Sequence, residues 1–278
     1  MKKILAVYDS RNGKAVAAIE NISTRLAEFA EVEKVDLAGS PGLENAKADM
    51  VCVFGGDGSL LRTVGHLGAN QLPIVGVNVG RLGFLTEFSE DEFLAAIPDI
   101  LSGKCEPSRR MMLDVRLERG GKELANLHAL NEAVLVRLNA IQMIGFSVTI
   151  DGTGVTEVQG DGVMVATPTG STAYSLSAGG SIVAPGTEAM CVTPVNPHTV
   201  TSRPLVVCAD CVIEIKLLTD RGGVILSLDG QGDREVLSGD LVKVARSQRR
   251  CLLIENRNYY ETLKIKLNWG GSATYGKN

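Results

Sequence analysis

At 278 residues, with 45% hydrophobic and 22% charged side chains, the chain has the composition of an ordinary globular protein of one large domain or two, not of a disordered one. Its formal net charge of −4, with no cluster of Lys and Arg, excludes a nucleic-acid partner held by phosphate neutralisation. No apolar run reaches the length of about 18 residues that spans a membrane, and the apolar stretch after Met1-Lys-Lys3 is too short for a signal-peptide core, so the expectation is a cytoplasmic protein with no membrane partner.

In chain order, Lys3 to Tyr8 reads as a buried strand, followed by a helix with Val16, Ile19, Ile22, Leu26 and Phe29 on one face. Val32 to Leu37 reads as a second strand. A loop bearing Gly39 and Gly42 leads to Met50 to Phe54, an apolar run typical of a strand covered on both sides. That strand breaks at Gly55-Gly-Asp-Gly58 and passes at once into a helix, with Ser59 as its expected cap and Leu60, Leu61, Val64 and Leu67 on one face. Strand, glycine turn and helix N-terminus together surround an anion with backbone N–H groups, most often a phosphate. Asp57 is a fixed negative charge inside that cradle, which points to chemistry beside the phosphate. As a lone motif, however, the stretch is better explained as a tight turn with Asp57 as a helix cap. It has neither the Lys-Ser/Thr ending of a P-loop nor the third glycine of a dinucleotide fingerprint.

Pro73 to Val79 is a further buried strand, followed by Gly80-Arg-Leu-Gly-Phe-Leu85 and a helix near Glu90 to Leu101. Alternating strands and helices predict a Rossmann-like parallel sheet, with ligands at the carboxyl ends of the strands and the turns at 55–58 and 80–83 as opposite lips of one crevice. The texture changes near residues 105–112. Met112 to Arg119, Glu123 to Val136, Ile144 to Ile150, Gly162 to Thr167, Pro204 to Val207, Val212 to Leu217, Val224 to Leu228 and Leu241 to Val244 read as strands, and Tyr259 to Leu267 as a closing helix. The expected domains are therefore an α/β domain over 1–110 and a larger β-rich, sandwich-like domain over 111–278. The six cysteines, including Cys208-Ala-Asp-Cys211, and the three histidines lack metal-ligand spacing, so no structural metal is expected.

Three polar interruptions mark the β-rich half: Asn131-Glu132 inside an apolar strand, Gly160-Asp161-Gly162, and the hydroxyl-rich run Thr167-Pro-Thr-Gly-Ser-Thr-Ala-Tyr174 opening onto a helix. Hydroxyls suit a sugar or a base edge, and Tyr174 offers a face for stacking. Singly, each is explained by a strand end, a turn or a cap. Asp229-Gly230-Gln231 is the weakest of the set, since Asp-Gly is an ordinary hairpin turn.

Taken in order, Gly55-Gly-Asp-Gly58, Gly76-Val-Asn, Leu82-Gly-Phe-Leu85, Asn131-Glu132, Asp161-Gly162, Thr167 to Gly180, Pro197-His-Thr, Arg203-Pro-Leu and Asp229-Gly-Gln231 resemble the NAD kinase family of bacterial type, over nearly the whole chain. The block from 167 to 180 is the most specific of these. The resemblance implies an α/β domain, a β-rich domain and a site between them. It implies transfer of the γ-phosphoryl group of ATP to the 2′-hydroxyl of the adenosine ribose of NAD, giving NADP, with a divalent metal such as Mg²⁺, in a homodimer or homotetramer. Carried over by position, Asp57 matches the proton acceptor and Gly55, Gly56 and Gly58 line the phosphates. Asn131, Glu132, Asp161, Thr169, Thr172, Ala173, Tyr174, Ser175, Leu176, Ser177 and Gln231 match dinucleotide-holding positions, and Phe84 borders the adenine. A carboxylate is too weak a base to ionise a sugar hydroxyl outright, so Asp57 would orient it and take its proton late in a loose transition state.

Gln142 and Gln159 stand where some bacterial members carry basic residues, and Arg62, on the first turns of the helix after the glycine motif, is the candidate to compensate at the anion site. A solvated helix arginine explains Arg62 equally well. Lipid kinases and phosphofructokinases share glycine-aspartate-glycine motifs, so a kinase for another lipid or sugar hydroxyl is the first alternative, and a non-catalytic NAD(P)-binding sensor is the second.

Overall fold

The computed structural model describes residues 1–39, 41–138, 142–219 and 223–269; Ser40 of the predicted 39–42 loop and residues 270–278 of the expected second domain lie outside them. The chain divides into two compact units, Met1–Arg109 together with the stretch from Cys251, and Arg110–Arg250. The C-terminal stretch, expected to close the second domain, instead belongs to the first unit, because Leu253 and Ile254 pair in parallel with Ile74 and Val75 and carry the chain there.

In the first unit β1 (Lys3–Tyr8), β2 (Glu31–Asp36), β3 (Met50–Gly55) and β4 (Ile74–Asn78) form a parallel sheet in the order β2-β1-β3-β4. Every residue of β3 is buried, as its unbroken apolar run requires, whereas β2 carries Glu31, Glu33 and Lys34 and takes the edge. The helices are α1 (Gly13–Leu26), α2 (Asp57–Leu67) and α3 (Glu90–Leu101). On α1 the buried face is Ala15, Ala18, Ile19, Ile22 and Leu26; Phe29, expected on that face, lies beyond the helix end and is 40% exposed. On α2 Leu60, Leu61, Val64 and Leu67 are buried as expected. Its cap is Gly56 and not Ser59, because the helix begins at Asp57, three residues before the start that a Ser59 cap implies.

The second unit packs two sheets over one core, in which Phe146 and Val148 of one meet Leu135, Val163 and Leu226 of the other. Its strands are β5 (Ser108–Arg119), β6 (Lys122–Ala129), β7 (Glu132–Arg137), β8 (Ile144–Ile150), β9 (Thr153–Gly160), β10 (Gly162–Ala166), β11 (Ala189–Val195), β12 (Leu205–Cys208), β13 (Ile213–Leu217), β14 (Val224–Leu228), β15 (Gln231–Val236) and β16 (Leu241–Ile254). One sheet follows the order β12-β11-β10-β7-β14-β15; in the other β16 pairs with β5 and β13, β5 with β6, β13 with β8 and β8 with β9. The single strand expected from Glu123 to Val136 is two strands, β6 and β7, which belong to different sheets and are broken at Leu130-Asn131. The break has a physical cause: the Asp229 carboxylate accepts the N–H groups of Leu130 (2.8 Å), Asn131 (2.8 Å) and Glu132 (3.0 Å), replacing the ladder bonds a crossing strand forfeits.

Candidate active site

The candidate residues form two groups, one in each unit. In the first unit, β3 ends where α2 begins. A Cβ on Gly55 would lie 2.6 Å from the Ser59 hydroxyl, so that glycine is required by the protein's own packing. Gly56 and Gly58 are exposed and a Cβ on either would meet nothing within 4 Å. Their bare backbone leaves room for a ligand at the N-terminus of an 11-residue helix.

Asp57 is half-buried between this turn and the segment after β4. Its Oδ2 accepts the N–H of Phe84 (2.8 Å), and its Oδ1 accepts the N–H groups of Leu85 (3.0 Å) and Thr86 (3.0 Å) and the Thr86 hydroxyl (3.0 Å). The two glycine turns therefore do not face each other as separate lips. β3 and β4 are neighbours, with Gly55 opposite Asn78, and the second turn folds back until Asp57 ties it to the first. Gly83 is obligatory for this contact, since a Cβ there would sit 1.9 Å from Asp57 Oδ1. Phe84 is half-buried, with Lys266 Nζ 5.4 Å from its ring centroid.

Arg62 does not reach into this turn as a free cation, nor is it a solvated arginine. Its guanidinium is 2.5 Å from Asp9 Oδ2, at the end of β1, with 27% of its side chain exposed. Arg11 binds the same carboxylate through Nε (2.9 Å) and Nη2 (2.9 Å), and these hydrogen bonds hold the Asp9 carboxyl well below the usual carboxylate range.

In the second unit Asn131 and Glu132 follow the break between β6 and β7 and are 7% and 6% exposed. Asn131 Oδ1 and Glu132 Oε2 are buried acceptors with no hydrogen-bond partner. Burial, with the Asp229 carboxyl adding to it, raises the Glu132 pKa to about 8; burial likewise raises that of Asp229. Asp229, the weakest of the sequence signals, is thus the residue that shapes this group, and it adopts φ 53° to do so. Gln231, half-buried, starts β15 two residues further on.

The hydroxyl-rich block splits into two roles. Thr167 donates to the Leu130 carbonyl (2.6 Å), Ser171 to that of Pro168 (2.6 Å), and Ser175, wholly buried, hydrogen-bonds Thr193 (3.1 Å). These bonds fold the block against Asn131, whose carbonyl oxygen would be 2.2 Å from a Cβ on Gly170. Thr169 is buried and accepts from Arg110 at 3.4 Å, whereas Thr172, Ala173 and Leu176 are half-buried. Tyr174 and Ser177, in the short helix α4 (Tyr174–Ser177), are exposed, Tyr174 by 42%. Ser175 therefore serves the scaffold, while its neighbours Tyr174 and Ser177 are open to a ligand.

Asp161 is not brought to the same end. In the β7–β10 ladder Glu132 pairs with Ala166 and Val136 with Gly162, which puts Asp161 at the opposite end of the two strands from Glu132. There it binds Arg137 Nε (2.7 Å) and Asn196 Nδ2 (2.8 Å), and these partners lower its pKa. Gln159 is exposed on β9, and its carbonyl accepts the His198 N–H at 2.8 Å. The residues that the sequence analysis passed over are Thr86 and Asp9; Thr86, next to Leu82-Gly-Phe-Leu85, had a signal at hand, and Gly83, expected as part of a separate lip, instead makes room for the Asp57 carboxylate. Among the described residues no three His, Cys, Asp or Glu side chains come together as a metal cage, and none of the helices is long and apolar enough to cross a membrane.

Known proteins resemble this chain over most of its length. Profiles of the ATP-NAD kinase N-terminal and C-terminal domains match residues 17–105 and 130–256. The NAD kinase of Geotalea daltonii is 43% identical over 226 residues, covering 81% of this chain and 80% of its own, and that of Symbiobacterium thermophilum is 37% identical, covering 96% and 99%. Among solved structures, yeast NADH kinase in complex with NADH superposes with a TM-score of 0.88 at 26% identity, covering 100% of this chain and 90% of that one. The Archaeoglobus fulgidus NAD kinase in complex with ATP gives 0.79 at 28% identity, covering 96% and 98%. Matches of this extent over both domains show that the chain is a transferase that belongs to the ATP-NAD kinase family.

Proposed function

We propose that this chain transfers the γ-phosphoryl group of ATP to the 2′-hydroxyl of the adenosine ribose of NAD, giving NADP and ADP. The observation that carries the reading is the Asp57 carboxylate, held by Phe84, Leu85 and Thr86 beside the open backbone of Gly56 and Gly58. Oδ1 takes three donors and Oδ2 only one, so Oδ2 keeps accepting capacity for a hydroxyl. The ribose oxygen attacks the γ-phosphorus, the bond from that phosphorus to the bridging oxygen of ADP breaks, and the hydroxyl proton passes to Asp57 late in the step.

Gly55, Gly56 and Gly58 are assigned to the phosphates, and Phe84 to the adenine border. For the dinucleotide, Asn131 Oδ1 is a buried acceptor that calls for a ligand donor, such as an exocyclic amine or ribose hydroxyl, and Glu132, protonated at neutral pH, is able to donate in return. Tyr174 and Ser177 offer an exposed ring and hydroxyl in the same unit, Thr169, Thr172, Ala173, Leu176 and Gln231 complete this group, and Asp161, at the opposite end of β7 and β10, is assigned to a more distant part of the dinucleotide. Arg62 is assigned to the ion pair with Asp9 and withdrawn from ligand binding. Among the described residues no side chains form a metal cage, so a divalent metal would be held mainly by the nucleotide phosphates, where it would neutralise their charge. A homodimer or homotetramer and a cytoplasmic location complete the proposal, the latter in keeping with six free cysteines.

The deciding assay mixes purified protein, ATP, magnesium and NAD and follows NADP, with NADH and polyphosphate as alternative acceptor and donor. NADP is the expected product. ADP formed only with sphingosine, diacylglycerol or fructose 6-phosphate overturns the reading in favour of a kinase for another hydroxyl, and no turnover at all favours a sensor.

A further inference from the structure

Between Leu82 and Glu87 the chain has no regular structure, yet its N–H groups hold the Asp57 carboxylate. What holds the loop in turn comes from the far end of the sequence. Glu87 is 5% exposed, and its Oε2 accepts the N–H groups of Asn256 (3.1 Å) and Arg257 (3.2 Å) while its Oε1 accepts the Thr262 hydroxyl (2.8 Å). Arg257 also donates to the Glu87 carbonyl (2.7 Å) and binds Glu92. At the other end of the loop, Lys266 Nζ donates to the Leu82 carbonyl (2.8 Å) and lies over the Phe84 ring.

We propose that residues 256–266 act as a positioning strap, which through Glu87 and Leu82 sets the loop that aims Asp57. The proposal rests on the reading of Asp57 as proton acceptor. The loop is held on two sides: Asp57 gathers 84–86, and the strap pins 82 and 87. The dependence is mutual, because the C-terminal helix Tyr259–Lys266 has only eight residues, too few to be stable alone, and its anchors are these same contacts. Glu87, Thr262 and Lys266 are positioning residues. A displacement of the order of an ångström at a reacting group lowers turnover by up to about 10²-fold, so loosening one anchor is expected to act on kcat well before it acts on binding.

The test uses the full chain and measures kcat, KM for NAD and thermal melting. Thr262→Val leaves Glu87 Oε1 without its donor; the expected result is a fall in kcat of roughly tenfold with KM for NAD within about twofold. Thr262→Ser restores the hydroxyl and is expected to restore kcat. In an Asp57→Asn background, Thr262→Val is expected to bring no further loss, because the strap acts only through that acid. A wild-type kcat for Thr262→Val, or the same fold loss in both backgrounds, overturns the strap while leaving Asp57 in its role. A wild-type rate for Asp57→Asn overturns the role of Asp57 and the strap with it. Should Thr262→Val unfold, Lys266→Met on an exposed side chain decides: a lower kcat at unchanged melting supports the strap, and an unchanged kcat overturns it.

Discussion

Asp57 in the first unit and Glu132 in the second are acids at the two candidate groups, and their surroundings answer them in opposite ways. Four donors converge on the Asp57 carboxylate, three of them backbone N–H groups from one short loop. Glu132 is buried with one oxygen unpartnered, faces the Asp229 carboxyl, and holds its proton up to about pH 8. The first environment suits an acid whose position matters for a reaction. The second suits a group whose missing partner arrives with a ligand, since a buried acceptor left unpaired is destabilising until something binds it. The pair separates a chemical task from a recognition task within one reading of the chain.

The largest effect is expected at Asp57. Asp57→Asn is predicted to lower turnover by about 10²- to 10⁴-fold, with NAD affinity unchanged within about twofold by calorimetry. Asparagine can keep an oxygen at the crowded Oδ1 position and loses chiefly the bond from Phe84, so an unchanged turnover would mean that the acid is only a clamp. Gly83→Ala places a methyl where Oδ1 now lies, and is predicted to lower turnover by a similar order while the melting temperature drops. If Gly83→Ala melts lower yet turns over normally, aiming of the acid by this loop is refuted.

Glu132 gives the intermediate effect. Its pKa is about 8 in the folded protein against 4.5 as the ordinary value, so the folded state keeps a proton that the unfolded chain releases. Its contribution to stability is full below about pH 4.5 and is lost as pH rises to about 8. Glu132→Gln is predicted to flatten the fall of melting temperature over that window while keeping NAD affinity within about twofold, because the amide can donate as the protonated acid does; Glu132→Ala is predicted to weaken NAD binding by about tenfold, within the range of one or two hydrogen bonds. A melting profile with the same pH slope in wild type and Glu132→Gln would show that Glu132 is not the group responsible. The smallest effect is expected at Arg62, where Arg62→Ala removes a partner of Asp9 far more than a ligand contact; NAD affinity is predicted to stay within about twofold. A large loss of affinity would return Arg62 to the anion site.

Much of the first unit was legible because its signals are local. The apolar run Met50 to Phe54, the glycine break and the spacing of Leu60, Leu61, Val64 and Leu67 each follow from neighbours along the chain. Strand Thr153–Gly160 escaped notice because it is nearly all exposed at a sheet edge, and Gln231–Val236 because it is a charged edge strand of the other sheet. Strand Ala189–Val195 is fully buried but its apolar run is interrupted by Thr193 and Pro194, and proline is rare inside a central strand. In the site, the glycine-aspartate turn and the polar Asn131-Glu132 pair were readable as residues with unmet needs. What met those needs was not readable. Asp229 does form the expected hairpin turn between β14 and β15, but its role as an acceptor lay hidden because its partners are 97 to 99 residues earlier, and the place of Asp57 depends on N–H groups 27 to 29 residues later. A free N–H carries no mark of its partner in the sequence.

The bond from Asp229 to Leu130 closes a span of 99 residues, and the passage of the chain from one sheet to the other hangs on it. Closing so long a span is entropically slow compared with forming hairpins, and during synthesis Asp229 emerges long after the strands it joins. Nascent chains stopped short of it would carry three amide groups at 130–132 with nothing to bind, leaving β6 and β7 uncommitted to separate sheets. The second unit is thus expected to lock into register only once its late-made turn arrives, which makes Asp229 a timing element of assembly as well as the support beneath Asn131 and Glu132.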